Sequence, residues 1–141
     1  MKLVFDTKFF QKKKLDSRII NRYFCNALRD FKIASKSKEP EVIFVFSYSA
    51  LMKIGITLIA LYGYRVKSRQ GHHIKVIEKS SQILRSKNIK IVGEKMRKKR
   101  NLDLYECGII ISSKEAKEYL NFLKEIINKA EKYLKSQDSL F

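Results

Sequence analysis

Between Val42 and Tyr64 the chain carries a single charged residue, Lys53, and no other stretch restricts the fold so tightly. An apolar run of that length either crosses a bilayer or forms a helix ringed by other elements. Lys53 argues against the bilayer, because a lysine near the centre of a span costs roughly 2.5–3.5 kcal/mol on insertion scales. Ser47, Ser49, Gly55 and Thr57 dilute the apolar content further. The run therefore predicts a buried central helix over 41–65, and the remaining chain must supply amphipathic helices to surround it.

Those partners are readable. From Ser17 to Ala34 the residues Ile20, Tyr23, Phe24, Ala27, Leu28, Phe31 and Ala34 recur at spacings of three and four, with Arg18, Arg22, Asn26, Arg29 and Asp30 largely between them, which is the pattern of an amphipathic helix. The break that follows ends at Pro40, the only proline, which disfavours helical geometry at the residue before it and suits the first turn of a new helix. A polar segment closing on Gly71 precedes a third helix over 72–84, with Ile74, Ile77 and Leu84 on one side. The stretch 88–100 reads as a fourth helix, although Lys90-Ile91-Val92-Gly93 also suits a short extended piece. Ser112 and Glu115 match a capping box. Beyond it Ala116, Tyr119, Leu120, Leu123, Ile126, Ile127, Ala130, Tyr133 and Leu134 keep a helical stripe. With no convincing strand pair, the pattern predicts an all-α, up-and-down bundle of four to five helices forming a single domain over 1–141, its core spanning about 15–135.

A chain of 141 residues suffices for one ordinary domain. Its 31 Lys and Arg against 14 Asp and Glu give a net charge of +17, which attracts phosphate polymers or anionic surfaces. Cys25 and Cys107 lie outside any paired spacing, so neither a disulfide framework nor a zinc ribbon is indicated, and a cytoplasmic setting follows. Asp6 and the lysines after it interrupt the apolar stretch that a signal peptide needs.

The charge is densest where the chemistry is. Between Arg85 and Arg100 there are eight Lys or Arg and one acid, Glu94. The run Lys95, Arg97, Lys98, Lys99 and Arg100 leads into Asn101 and closes on Tyr105. A guanidinium at Arg100 can hold a phosphate through two parallel hydrogen bonds, and Asn101 can donate to phosphate or sugar. Tyr62, Tyr64 and Tyr105 are available to stack on bases. The competing reading is structural, with Arg100 and Asn101 capping a helix end and pairing with Asp103 or Glu106.

Taken in order, Tyr48-Ser49-Ala50-Leu51, Gly63-Tyr64-Arg65, Gly71-His72-His73 and Arg100-Asn101 to Tyr105, followed by a long amphipathic helix, resemble the HEPN superfamily of small helical proteins over about residues 15–135. The resemblance implies a homodimer whose paired basic motifs line a cleft for RNA such as tRNA or mRNA. Many members are metal-independent endoribonucleases, and many occur as toxins beside a minimal nucleotidyltransferase that serves as antitoxin. Active members carry an arginine, often followed by Asn, and then a histidine after four to six residues. Arg100 and Asn101 match the first half; Tyr105 stands where the histidine belongs, and no histidine follows His73. An unperturbed phenol titrates near about 10 and is a poor base beside imidazole, though Lys98, Lys99 and Arg100 would favour its phenolate. In active members a tyrosine that accepts nucleotidyl transfer stands two residues after the histidine, where this chain has Cys107.

His72 and His73 are adjacent, so on a helix they point about 100° apart and do not chelate one ion as an i, i+4 pair can. No metal and no cofactor is expected. One histidine should cap or pack at the helix start while the other faces a cleft or a partner. Arg65 and His72 also fit the family spacing, but across a different inter-helix turn. The expectation is an RNA-binding protein of doubtful catalysis, with no membrane partner. Two alternatives stand: an active metal-independent ribonuclease completed by Tyr105 or by a histidine of the Gly71-His72-His73 turn, and a non-catalytic subunit pairing with a nucleotidyltransferase.

Overall fold

The computed structural model describes residues 3–105 and 110–137, with backbone only at 103–105. Five α-helices and one short strand pair appear in the order β1 (Phe10–Lys12), α1 (Ser17–Lys36), α2 (Pro40–Leu61), β2 (Tyr64–Val66), α3 (His72–Ile83), α4 (Lys87–Tyr105) and α5 (Ser113–Ser136). This is the expected all-α bundle.

α1 starts because the carboxylate of Asp16 accepts the backbone N–H groups of Arg18 at 2.9 Å and Ile19 at 3.1 Å, satisfying donors that a helix leaves free. α2 starts on Pro40, whose missing N–H costs nothing there. It then runs through the middle of the bundle, packed against α1, α3 and α5. Phe44, Leu51, Ile54, Leu58 and Ile59 are fully buried along it. Among the described residues it is the one helix long and apolar enough to cross a membrane, and 67% of its apolar window is buried inside the bundle. A central position in the bundle accounts for its apolar composition.

Lys53 is accommodated by a residue that periodicity placed on the polar face. Asp30 of α1 is 1% exposed, and its carboxylate takes the Lys53 ammonium at 2.6 Å and the Ser49 hydroxyl at 2.6 Å, with Arg29 at 3.4 Å. Burial alone would raise the Asp30 carboxyl; the hydrogen bonds from Lys53 and Ser49 and the charges of Lys53 and Arg29 outweigh it and hold the group below its usual value.

α2 ends at Leu61, four residues before the end predicted for it, and the expectation of no strand pair fails at the same place. Gly63 takes φ 80°, the left-handed geometry that glycine tolerates, and turns the chain into β2. Tyr64 and Val66 pack on the core while Arg65 is exposed, the alternation of a strand. β1 pairs with it antiparallel, Phe10 opposite Val66, Gln11 opposite Arg65 and Lys12 opposite Tyr64. Phe10, 2% exposed, joins the core, which therefore extends N-terminal of residue 15.

α3 lies between α2 and α4 and is buried on both sides through Val76, Ile77, Ser80 and Ile83, whereas Ile74, expected on the core face, is 38% exposed. Glycine fixes both crossings. A Cβ on Gly55 of α2 would overlap Val76 and lie 2.6 Å from Ser80 Oγ, and a Cβ on Gly93 of α4 would lie 2.8 Å from Ile77 Cγ2. Gly93 is thus inside a helix and not in an extended piece. α5 begins at the expected cap, where Ser112 Oγ accepts the Glu115 N–H at 3.1 Å. The second half of the capping box is replaced: the Glu115 carboxylate takes the Tyr119 hydroxyl at 3.1 Å and Lys99 at 3.3 Å.

Candidate nucleic-acid interface

The Gly93–Ile77 crossing sets what faces what above it. Arg97 and Arg100 follow Gly93 by four and seven positions, on the same side of α4, and His73 precedes Ile77 by four on α3. The two helices therefore present the arginines and the histidine to a shared space. That space is a cavity of about 640 Å³ opened by the 68–74 turn on one side and by Arg97, Arg100 and Asn101 on the other. No acidic side chain among the described residues lines it.

The turn itself is held by the N-terminal segment. The Lys67 ammonium donates to the Thr7 carbonyl at 2.6 Å and the Arg69 guanidinium to the Lys8 carbonyl at 2.9 Å. Arg69 and Lys75 also lie over the Phe9 ring, at 5.2 and 5.1 Å from its centre, in cation–π range. Gly71, at φ 85°, is the N-cap of α3 and offers no capping side chain. Among the described residues no side chain caps the first-turn N–H groups of α3, which add the positive end of a helix dipole to the arginines.

Within this frame each histidine has a defined setting. His72 Nδ1 sits 2.7 Å from the Arg69 carbonyl oxygen. A carbonyl only accepts, so Nδ1 carries the proton, and in the neutral ring Nε2 keeps a lone pair for another partner. His73 Nδ1 lies 2.9 Å from the Tyr48 hydroxyl, and the His72 and His73 rings meet edge to face at 4.5 Å. Burial, and then the charges of His72, Arg100 and Arg97, push the His73 imidazolium down to about 4. Burial pushes the Tyr48 phenol up to about 12 against the pull of Arg100 and Arg97. The pair is neutral at pH 7. The Arg100 guanidinium lies 5.6 Å from the centre of the Tyr48 ring and makes no ion pair among the described residues. Asp103 and Glu106, the partners of the competing structural reading, have side chains outside the described residues.

Comparison with family models, curated proteins and solved structures found no match.

Not every residue predicted for the site reaches it. Arg97 lines the cavity while holding Glu94 through bonds of 3.0 and 3.2 Å. Lys99 is committed to Glu115 and to the Ile110 carbonyl at 3.0 Å, tying α4 to the start of α5. Lys95 faces another hollow, beside Glu118 and Glu125. Lys98 is exposed and does not line the cavity. Arg65 sits on the strand pair, donating to Gln11 at 3.0 Å, and does not line the cavity. Tyr64 stacks on Phe5 at 4.2 Å and is not free to stack on a base. Tyr105 ends α4, but its side chain lies outside the described residues, as does Cys107. Among the described residues no three His, Cys, Asp or Glu come together as a metal site. Tyr48 and Arg69 had no role predicted for them. Tyr48 stood in the motif series, and its burial in an otherwise apolar helix was the one available signal.

Proposed function

We propose that the chain binds RNA by its phosphates in the cavity between α3 and α4. One observation carries this reading: Arg100 and Asn101, His72 and His73, drawn from separate helices, converge with Arg69 and Arg97 on one concavity that no acid among the described residues lines. A phosphate there would meet a forked guanidinium at Arg100, the amide of Asn101 and the N-terminus of α3. The net charge of +17 supplies long-range attraction. The HEPN-like classification, the homodimer, the nucleotidyltransferase partner and the cytoplasmic setting belong to the same proposal. The test is binding of a labelled single-stranded RNA. Arg100→Ala should weaken it about tenfold or more, as expected when a charge-assisted hydrogen bond is removed, and Arg65→Ala should leave it unchanged. Equal affinity in wild type and Arg100→Ala would remove the reading.

A second reading is favoured by the tautomer of His72. With Nδ1–H held by Arg69, Nε2 is the form of imidazole that removes a proton. In metal-independent cleavage the 2′-hydroxyl gives its proton to that nitrogen and its oxygen attacks the adjacent phosphorus. The P–O5′ bond breaks, the 5′-oxygen leaves and takes a proton from water, and a 2′,3′-cyclic phosphate remains. Arg100 would offset charge on the phosphoryl oxygens. This assigns to His72 the work that the family motif gives to the position of Tyr105. Incubation of total RNA in EDTA decides it: discrete cleavage lost in both His72→Ala and Arg100→Ala supports the reading, and intact RNA with wild type rejects it.

A further inference from the structure

α3 carries a second basic concavity at its other end, about 18 Å from His72 by helical rise. The cavity measures about 540 Å³, and Arg85, Lys129, Lys132, Tyr62 and Tyr133 surround an apolar floor that includes Ile83. Among the described residues no acid lines it, and none of the three cations forms an ion pair. The α3 C-terminus contributes about half a negative charge there, which offsets only part of three unit positive charges. An anionic ligand is the missing complement.

The backbone supports the same conclusion. α3 ends in a Schellman turn, with the Ser86 N–H donating to the Ser81 carbonyl at 3.0 Å and the Arg85 N–H to the Gln82 carbonyl at 3.3 Å. The residue at the left-handed position of such a turn is usually glycine. Here it is Arg85, at φ 52°, the only non-glycine residue with positive φ in the described chain. A helix stop alone would be better served by glycine, so the strained arginine points to a use for its side chain. Beside it the Tyr62 and Tyr133 hydroxyls are hydrogen-bonded to each other. Burial and the bond to Tyr62 push the Tyr133 phenol up to about 12. Two protonated phenols share one hydrogen between them, and the other is left for a ligand oxygen. Tyr62 is 40% exposed, and Leu3 and Ile83 give apolar surface for a planar ring.

We propose that this cavity is a second binding site, for a 5′-phosphorylated nucleoside, with the phosphate on Arg85, Lys129 and Lys132 and the base against Tyr62 and the apolar floor. The ligand is either a free nucleotide or the 5′ end of an RNA strand. The site is distinct from the α3–α4 cavity and does not rest on the reading given to it. Isothermal titration of the full chain with 5′-AMP and with inorganic phosphate tests it. 5′-AMP should bind more tightly than phosphate. Arg85→Gly should weaken 5′-AMP about tenfold or more, as expected when one charge-assisted hydrogen bond is removed, while its thermal midpoint stays level or rises as the backbone strain is relieved. The double variant Lys129→Gln/Lys132→Gln should weaken it likewise, and Lys36→Ala, an exposed lysine on α1, should not. If a short RNA bearing a 5′-phosphate is weakened by Arg85→Gly and its 5′-hydroxyl counterpart is not, the ligand is an RNA end; if 5′-AMP alone is weakened, it is a free nucleotide. The proposal is overturned if 5′-AMP fails to bind more tightly than phosphate, if Arg85→Gly leaves it unchanged, or if Lys36→Ala weakens it as much.

Discussion

Acid should weaken this protein through His73, and the size of the effect can be worked out. The imidazole is pushed down to about 4 by burial and by His72, Arg100 and Arg97; unfolded, it returns to about 6.5. A depressed folded value means that the unfolded chain takes up the proton first. The stability linked to His73 is therefore full above about pH 6.5 and is lost as pH falls towards about 4. Between about pH 7 and about pH 4.5 the two values give a loss of about 2.4 kcal/mol, and solvent screening at a half-buried ring reduces this to about 1 kcal/mol. Asp30, the other carboxylates and the net positive charge also respond to acid, so the His73 contribution is read as a difference. His73→Gln keeps a partner for the Tyr48 hydroxyl and does not titrate. Urea unfolding followed by helical circular dichroism, on wild type and variant at both pH values, should show wild type losing about 1 kcal/mol more than the variant. A gap that stays constant between the two pH values would refute the reasoning.

Three further outcomes are expected. Lys53→Met leaves the Asp30 carboxylate, 1% exposed, without its ammonium partner and should cost about 2–3 kcal/mol; in a double-mutant cycle with Asp30→Asn the costs should fall short of their sum, and simple additivity would exclude the coupling. Gly93→Ala gains helix propensity of up to about 1 kcal/mol, yet its Cβ meets the stiff branch of Ile77 at 2.8 Å. Chemical denaturation should show a net loss of about 1 kcal/mol or more, and a more stable variant would contradict the α3–α4 crossing. Truncation of Phe9 to Ala removes the ring beneath Arg69 and Lys75, so hydrogen exchange at the 67–71 amides should quicken, with the α5 amides unchanged as the control.

The helices were legible because capping residues and a period near 3.6 residues are local signals: Pro40 and Ser112 each begin an element within one or two residues of where they stand in sequence, and the apolar spacing from Ser17 marks α1. The strand pair was not, since each strand is three residues long and the two are separated along the chain by α1 and α2. Asp30 was assigned to solvent because it is charged; only the fold brings it to Lys53, from a different helix, and makes burial tolerable. At the site, Arg100, Asn101, His72 and His73 were identifiable one by one. Their convergence depends on the glycine-mediated crossing at Gly93, and no spacing along the chain encodes it. The same crossing turns Lys95 away, although it belongs to the same basic run, because adjacent positions on a helix face different directions. His72 gains its free Nε2 from the Arg69 carbonyl, an interaction made by backbone geometry and so invisible in residue identities.

The most direct test of the central claim is the salt dependence of single-stranded RNA binding by wild type, Arg100→Ala and Lys36→Ala, the last an exposed lysine on α1. If the α3–α4 cavity holds the phosphates, Arg100→Ala lowers affinity at every salt concentration and reduces the slope of log K against log salt by about 0.7 for each phosphate that is no longer neutralised, while Lys36→Ala follows wild type. Superimposable lines for Arg100→Ala and Lys36→Ala would contradict the account and leave only the attraction any protein of this charge exerts.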